Sequence, residues 1–236
     1  MRVFRQAVVA AVCAVFAFGA AAYGKEDPPD NWDGLVRVKP KRMDFAYVAP
    51  GADFRTYTKV MLDPAEVAFK KNWRRDLNND TAGIQNDVSE EQAQKILAAA
   101  RDGLDQVFKE TFAKNDIQVV TAPGEDVLRL SPGIANLDVV APDTMSAGMS
   151  RTYVTESGQA TLILEARDSA SGALIGRVID TRETRQAGMA QRATSVSNRA
   201  DFRQLFQSWA NIVVKGMEEL KAHSPVPADL QPKQKL

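Results

Sequence analysis

Two amphipathic stretches, far apart in the chain, restrict the fold more than any other feature of the sequence. In residues 89–114 and 200–222, apolar residues recur every three or four positions, which is the spacing of one buried face on an α-helix. Ser89 and Gln92 open the first stretch as a capping box, in which each side chain satisfies a free backbone N–H of the first turn. Each helix must cover its apolar face with a sheet or with the other helix.

The segments before and between these helices are typical of β-strands. We predict a strand over 57–62 that continues over 65–69, interrupted by Asp63-Pro64 because proline cannot donate to a β-ladder. The clearest hairpin joins 159–167 to 174–184 through a turn rich in Asp, Ser and Gly. Helices alternate with strands too rarely for a doubly wound fold. The sequence therefore predicts an α+β fold: one domain with a mainly antiparallel sheet and two amphipathic helices packed on one face.

The N-terminus has the pattern of a secretory signal peptide. Arg2 and Arg5 precede an uncharged run from Ala7 to Ala22, which is too short and too rich in alanine for a membrane span. We predict that residues 1–24 form a signal peptide cleaved after Gly24, or nearer to Ala22. The mature protein is then periplasmic or secreted.

Cys13 is the single cysteine of the chain and lies inside the apolar run. It comes too early, and follows too large a residue, to be the lipid-bearing cysteine of a lipoprotein, so we expect no lipid anchor. The mature chain then has no disulfide and no thiol nucleophile. No later segment is apolar and long enough to predict a transmembrane helix.

The rest of the chain divides into three parts. We predict that residues 25–33 form a flexible leader and that residues 34–222 form the α+β domain. Residues 223–236 contain several prolines and few apolar residues, so we predict that they form a disordered tail. Residues 72–88 and 143–151 predict long polar loops. Loops of this kind often carry binding function.

The charge balance and the scarcity of histidine weigh against several classes of function. Lys and Arg total 30 and Asp and Glu total 30, so a nucleic-acid partner is not expected. His223, the one histidine, lies where the second helix gives way to the tail, and we expect no catalytic role for it. No catalytic residue, cofactor or phosphate-binding loop is predicted.

Carboxylates and amides in one segment resemble the start of a calcium-binding loop. Oxygen ligands occur at alternate positions, which is the arrangement that Ca²⁺ takes in such loops. The pattern fails where the loop needs Gly, since Thr81 stands there, and where it needs a bidentate Glu. A solvated polar loop explains these residues better, and they are kept only as weak metal candidates: Asp76, Asn78, Asp80 and Asp87.

Two further residues are candidates for contact with a ligand. Trp209 lies on the second helix and could stack on a ligand, although its spacing is also that of a core residue. Arg182 lies in the second arm of the hairpin and could bind an anion, although spaced arginines commonly form a solvated face.

Several segments together resemble the bacterial domain-of-unknown-function family 3313. The resemblance covers about residues 34–220 and implies an exported envelope protein, in a family whose members include many lipoproteins and have no agreed catalytic residues. The absence of a usable lipoprotein cysteine departs from that pattern. The segments that carry the resemblance are Tyr47–Asp53, Tyr57–Val67, Glu165–Gly172, Asp180 with Arg182, and Phe206–Ala210.

Three hypotheses about function follow. The first is a non-catalytic binding or assembly module that contacts another cell-envelope protein through its polar loops. The second is a hydrolase that uses carboxylates, with or without calcium, and it requires Asp76, Asp80 and Asp87 to converge in a cleft. The third is a protein that binds a small ligand between the sheet and the helices, and it requires a sizeable pocket there.

Overall fold

The computed structural model describes residues 27–80, 87–139, 153–154, 158–184, 191–192 and 195–236. Within these ranges the chain forms three α-helices, a 3₁₀ turn at Phe54–Thr56 and eleven strands. The helices are α1 (Trp73–Asp80), α2 (Glu90–Lys114) and α3 (Ser195–Ala222). The strands are β1 (Asn31–Trp32), β2 (Leu35–Val38), β3 (Phe45–Val48), β4 (Lys59–Leu62), β5 (Glu66–Phe69), β6 (Gln118–Val120), β7 (Val127–Asp138), β8 (Tyr153–Val154), β9 (Gln159–Asp168), β10 (Leu174–Glu183) and β11 (Gln191–Arg192).

The predicted α+β class is confirmed: nine of the described strands form one mixed, mostly antiparallel sheet. Its order is β1-β2-β3-β10-β9-β7-β4-β6, and β5 pairs with β7 beside β4. β8 and β11 form a separate pair. α2 and α3 pack on each other and on one face of this sheet, where their apolar stripes join the core. α1 is a third helix that the sequence did not predict.

One end of the sheet is parallel, which the antiparallel prediction did not include. β4 pairs in parallel with both β6 and β7, and β5 pairs in parallel with β7 further along. The helix α2 makes the crossover between β4–β5 and β6, as parallel neighbours require. Pro132 lies inside β7 at the point where its neighbour changes from β4 to β5. A residue without an N–H fits at that break in the ladder.

Side chains of α2 complete the ladder where Pro64 interrupts it. The backbone N–H of Ala65 donates to Asp105 Oδ1 at 3.2 Å, and the Ala65 carbonyl accepts from Arg101 Nε at 3.0 Å. Burial raises the pKa of the Asp105 carboxyl above its usual 3.8, although the Ala65 N–H and the cations nearby oppose the shift. The interruption predicted at Asp63-Pro64 is thus present and is bridged by a helix.

The two strongest local predictions hold in detail. α2 begins after Ser89, and the capping box is complete: Gln92 N donates to Ser89 Oγ, and Ser89 N donates to Gln92 Oε1. The hairpin joins β9 to β10 through a turn in which Ser171 N donates to Asp168 Oδ1 at 2.7 Å. Gly172 has a φ of 74°, a conformation that glycine adopts at little cost.

Segment 72–88 contains a helix rather than only a polar loop. α1 begins at Trp73, whose ring stacks on Phe69 at 3.9 Å between centroids and whose indole N–H donates to the Val139 carbonyl. Packing of one aromatic side chain thus fixes a segment whose composition is otherwise polar. The polar loop predicted over 143–151 lies outside the described residues, as does the signal peptide predicted over 1–24.

The leader prediction was wrong for the part of residues 25–33 that the structure describes. Trp32 packs edge-to-face on Tyr47, with ring centroids 5.8 Å apart, and the Tyr47 hydroxyl donates to the Pro29 carbonyl. Asp33 and Gly34, with φ of 52° and 81°, form the two-residue turn between β1 and β2. An Asp-Gly pair in a two-residue hairpin turn of this kind is a strong local signal.

The prediction of a disordered tail over 223–236 was also wrong. Val226 and Leu230 are buried, and Val226 exchanges backbone hydrogen bonds with the 51–52 turn. Further along, Lys233 N donates to the Arg37 carbonyl, and Lys39 N donates to the Gln234 carbonyl. Two apolar anchors and these backbone bonds outweigh the effect of a proline-rich composition.

Within the described ranges, none of the helices combines the length and the apolar character that a membrane span requires.

Candidate functional site

A half-open cavity of about 160 Å³ lies between the sheet and α3. Strands β3, β7, β9 and β10 form its floor, α3 forms its roof, and the link between β2 and β3 closes one side. Its walls are almost entirely apolar. The apolar residues that line it include Ala46, Leu130, Leu164, Val178, Val213 and Met217.

Small residues keep this space empty. Gly176 on β10 and Gly216 on α3 both line the cavity, and so do Ala46 and Ala166. A Cβ atom built on Gly216 would have no heavy atom within 4 Å, so the helix is open to the cavity at that position. Glycine inside a helix costs about 0.5–1 kcal/mol relative to alanine, so Gly216 keeps the cavity open at the expense of helix stability.

The sheet floor shows that the cavity reaches solvent. Ala46, Ala166 and Val178 line the cavity beneath α3, yet each remains partly exposed. Leu162 of the core, which does not line the cavity, is fully buried. The apolar face of the sheet is therefore incompletely covered at this one place.

Charged side chains stand at the mouth of the cavity. Lys39, Lys41 and Arg42 come from the link between β2 and β3 and are exposed, and Glu219 comes from α3. Glu219 accepts from Arg42 at 2.7 Å and lies 3.5 Å from Lys41 Nζ. The hydrogen bond from Arg42, together with the charges of both cations, holds the pKa of the Glu219 carboxyl below its usual 4.5 against the opposing effect of burial. His223 also lines this edge, and its Nδ1 lies 2.8 Å from the Glu219 carbonyl oxygen.

Trp209, predicted as a ligand contact, lies in the core and does not line the cavity. Its side chain is 0% exposed, and its indole Nε1 donates to Asp180 Oδ2 at 2.7 Å. Arg182, the other predicted contact, donates from Nε to the same oxygen and from its two Nη atoms to Ser208 Oγ and the Arg42 carbonyl. The structure brings the two residues together, but as partners of the buried Asp180.

The structure places the weak metal candidates on α1 and just before α2. Asp76, Asn78 and Asp80 lie on α1, where alternate residues point to different sides of the helix. Asn78 receives the Val88 N–H on Oδ1 at 2.8 Å, so it fixes the entry to α2. Asp76 pairs with Arg75, and Asp87 is exposed. Among the described residues, no group of three or more Asp, Glu, His and Cys side chains could hold a metal ion.

The opposite face of the sheet carries a buried ion pair that the sequence did not reveal. Arg177 on β10 donates from Nε and Nη2 to Glu165 Oε1 on β9, at 3.1 and 2.6 Å, and from Nη2 to Asp33 at 2.8 Å. Its guanidinium carbon lies 4.1 Å from the centre of the Trp32 ring. Burial alone would lower the pKa of Arg177, but the bonds to Glu165 and Asp33 outweigh it and raise that pKa.

One atom of this ion pair is unusual. Arg177 Nη1 is buried and has no hydrogen-bond acceptor among the described residues. The Trp32 ring, which covers the guanidinium, supplies a favourable cation–π contact in its place. The cluster thus fastens residues 31–33 to the sheet on the face away from the cavity.

The cavity combines an apolar interior with a charged rim. Its described lining contains no Ser, Thr, Cys, Asp, Asn or Gln, and its charged groups that reach solvent stand at the rim. An apolar floor with a charged mouth matches the general form of ligand sites, which surround an apolar body and orient it by a few polar groups. Sequence patterns contain little sign of this site, because its small residues come from separate segments.

These features define an α+β domain with a half-open apolar cavity beneath its last helix. The chain belongs to the family described as "Protein of unknown function (DUF3313)", whose model matches residues 30–213. The resemblance seen in the sequence is thereby confirmed. Among curated proteins, none matches the sequence.

Solved structures with a distantly similar fold come from three bacteria. The PelC dodecamer from Paraburkholderia phytofirmans is 12% identical, with a TM-score of 0.33 over 69% of this chain and 96% of that chain. Protein XCC0632 from Xanthomonas campestris is 13% identical, with a TM-score of 0.38 over 80% and 96%. A putative neuraminyllactose-binding hemagglutinin homolog from Helicobacter pylori is 13% identical, with a TM-score of 0.34 over 75% and 93%. At these TM-scores the likenesses carry no argument about function.

Proposed function

We propose that this protein is a non-catalytic binding module of the cell envelope and that the cavity beneath α3 holds the apolar part of a small ligand. The observation that carries the proposal is the half-open apolar cavity of about 160 Å³. It corresponds to the small-ligand hypothesis, with a pocket lined by Val213, Gly216 and Met217 in place of Trp209.

The size of the cavity limits what it can accept. An apolar cavity of about 150 Å³ in a protein core stays dry and takes up benzene. The present cavity is similar in volume and also open on one side. It therefore accommodates a single ring or a short stretch of alkyl chain, while the rest of the ligand extends past the mouth. Removing apolar surface from water contributes about 25 cal/mol per Å².

The proposed compartment rests on the N-terminal sequence pattern of Arg2, Arg5 and the uncharged run that ends near Ala22. A protein partner from the envelope is a second expectation, and the segment over 72–88, whose α1 surface is polar and exposed, is where we propose that it docks.

Methionine methyl groups provide a direct test of ligand binding. Met43 and Met217 line the cavity, whereas Met61 lies on β4 and does not. We expect titration of the protein with 1-octanol to shift the ¹³C-methyl NMR signals of Met43 and Met217 and to leave Met61 in place.

A substitution at Gly216 tests whether the ligand occupies the cavity, and a substitution at Lys215 is its matched control. Gly216→Leu places a side chain in the empty space, and we expect it to abolish the octanol-induced shifts without unfolding the domain. Lys215→Leu adds the same side chain at the neighbouring exposed position and should leave binding unchanged. Absence of shifts in the wild-type protein, or equal binding by the Gly216→Leu variant, would contradict the proposal.

A further inference from the structure

We infer that the ligand of this cavity is an amphiphile with an anionic head, which the cations at the mouth recognise. The inference rests on the proposed function, because it names the polar end of the ligand whose apolar end the cavity holds. The observations that carry it are the positions and the charges of Lys39, Lys41, Arg42 and Glu219.

The cations are held beside the opening by backbone contacts. Lys39 N donates to the Gln234 carbonyl at 2.9 Å, so the start of the β2–β3 link is fixed against the tail. The Arg42 carbonyl accepts from Arg182 at 3.0 Å, which fixes its other end. Between these two anchors the Lys41 and Arg42 side chains are 55% and 41% exposed. The link therefore presents cations at a defined place while leaving them accessible to a ligand.

The charges at the mouth do not balance. Lys39, Lys41 and Arg42 are three cations, and Glu219 is the one carboxylate side chain among the described residues that line the cavity. Lys41 and Arg42 share that carboxylate. An anionic head arriving at the mouth meets a net positive site, whereas a cationic head meets repulsion.

The apolar lining begins next to these charged residues, so one ligand can reach both. Met43, next to Arg42, and Met217, two residues before Glu219, both reach the cavity lining. An alkyl chain lying between these methionines therefore brings its head to the level of the cations. The head chemistry that fits is a small oxyanion: a carboxylate, a sulfate or a phosphate.

The test compares two probes with the same chain: octyl sulfate, below its micelle concentration, and 1-octanol. At low salt we expect octyl sulfate to bind the full-length protein about tenfold more tightly, because exposed ion pairs each contribute modestly. The advantage should be lost at about 1 M salt, where screening reaches within about 3 Å. Affinities come from the Met43 and Met217 methyl shifts.

A charge variant locates the effect. Lys39→Gln with Lys41→Gln should remove most of the octyl sulfate advantage and leave 1-octanol binding unchanged. The control is Lys95→Gln with Lys114→Gln, which removes two positive charges from α2 away from the mouth. It should keep the full advantage.

The outcomes separate this inference from the proposed function. Equal affinity for octyl sulfate and 1-octanol overturns the anionic head and leaves the cavity as an apolar site. An octyl sulfate advantage that falls equally in both double variants overturns the role of Lys39 and Lys41. If neither probe binds, the proposed function itself fails.

Discussion

Gly176 of β10 and Gly216 of α3 line the same cavity, one from the floor and one from the roof, and neither has a side chain to fill it. A Cβ on Gly176 would meet Ala166 Cβ and the Tyr47 carbonyl at ordinary contact distances of 3.6 Å. A Cβ on Gly216 would meet nothing within 4 Å. The empty volume between sheet and helix thus depends most on Gly216, and this position allows its cost to be measured.

Gly216→Ala should stabilise the protein by about 0.5–1 kcal/mol, because alanine loses less backbone entropy in a helix and the added methyl group has room. Urea unfolding of the two proteins measures this difference. Gly34→Ala is the contrasting variant: Gly34 has a φ of 81° in the β1–β2 turn, and alanine there should destabilise by about 1 kcal/mol or more. If Gly216→Ala also lowered stability, the space around Gly216 would not be empty.

Trp209→Phe should lower stability by about 2 kcal/mol, because the indole N–H no longer donates to the buried Asp180 carboxylate and some volume is lost. Asp180 keeps its bonds from Arg182 Nε and from the Asp44 N–H. Since Trp209 does not line the cavity, 1-octanol affinity should stay the same. A marked fall in that affinity, with the fold intact, would place Trp209 at the ligand after all.

Arg177→Met should destabilise by about 3 kcal/mol, because it leaves the Glu165 carboxylate buried with Arg167 as its one remaining ion-pair partner among the described residues. Adding Glu165→Leu should restore part of that loss, since no buried charge then remains. Arg129→Met, which breaks the more exposed pair with Asp63, should cost less than about 1 kcal/mol. A double-mutant cycle of Arg177→Met and Glu165→Leu, followed by urea unfolding, measures the coupling energy between the two side chains. If the losses of stability in the two single variants simply add in the double variant, this coupling is absent.

Asp105→Asn should make the protein relatively more stable as pH rises. The folded-state pKa of Asp105 is raised, first by burial, so the favourable effect of its protonated form is fully present below the unfolded value near 3.8. That effect is lost as pH rises through the folded pKa. The amide side chain introduced by this substitution cannot ionise, and its oxygen still offers an acceptor to the Ala65 N–H.

The measurement for Asp105 is the difference in unfolding free energy between D105N and the wild-type protein at pH 3 and at pH 7. We expect a difference near zero at pH 3 that moves in favour of D105N by pH 7. Glu91→Gln is the control, because the pKa of Glu91 is lowered by its bond to Lys95 and its replacement should shift stability in the opposite direction with pH. A pH-independent D105N difference would contradict the raised pKa.

Leu230→Ala should cost about 2–3 kcal/mol if the tail packs as described, because it removes a side chain that is 6% exposed. Asp229→Ala, at the exposed neighbour, should change stability by less than about 0.5 kcal/mol. Thermal unfolding of the two variants separates an ordered tail from a disordered one, for which both substitutions would be silent.

Local signals made part of this fold predictable. The Ser89–Gln92 box located the start of α2 to one residue, and the turn at Asp168 and Gly172 located the β9–β10 hairpin, because each involves residues close in sequence. The parallel pairing of β4 with β7 joins Val60 to Leu128. No local pattern encodes that register, so it followed only from the assembled sheet.

The candidate site was harder to predict for the same reason. Ala46, Ala166, Gly176 and Gly216 come from four elements, and a small residue in one strand or helix gives no indication of the others. Trp209 was predicted as a ligand contact because it is a large aromatic residue. Large aromatic residues fill protein cores, whereas small residues leave space for a ligand. Composition likewise suggested a disordered tail, since it does not weigh the burial of single residues such as Val226.

The contact between Gln234 and the 37–39 segment affects the order in which the chain can fold. The strands β2 and β3 pair with each other and are made early, yet the other neighbour of β3 is β10, and the Lys39 N–H donates to Gln234, far along the chain. Synthesis from the N-terminal side therefore leaves one edge of β3 unpaired until β10 follows, and leaves the Lys39 N–H without its acceptor until Gln234 follows. Such long-range closure slows folding and exposes unpaired edges meanwhile. A chaperone that shields unpaired strand edges would have a binding site at that edge of β3, which is available only until β10 pairs with it.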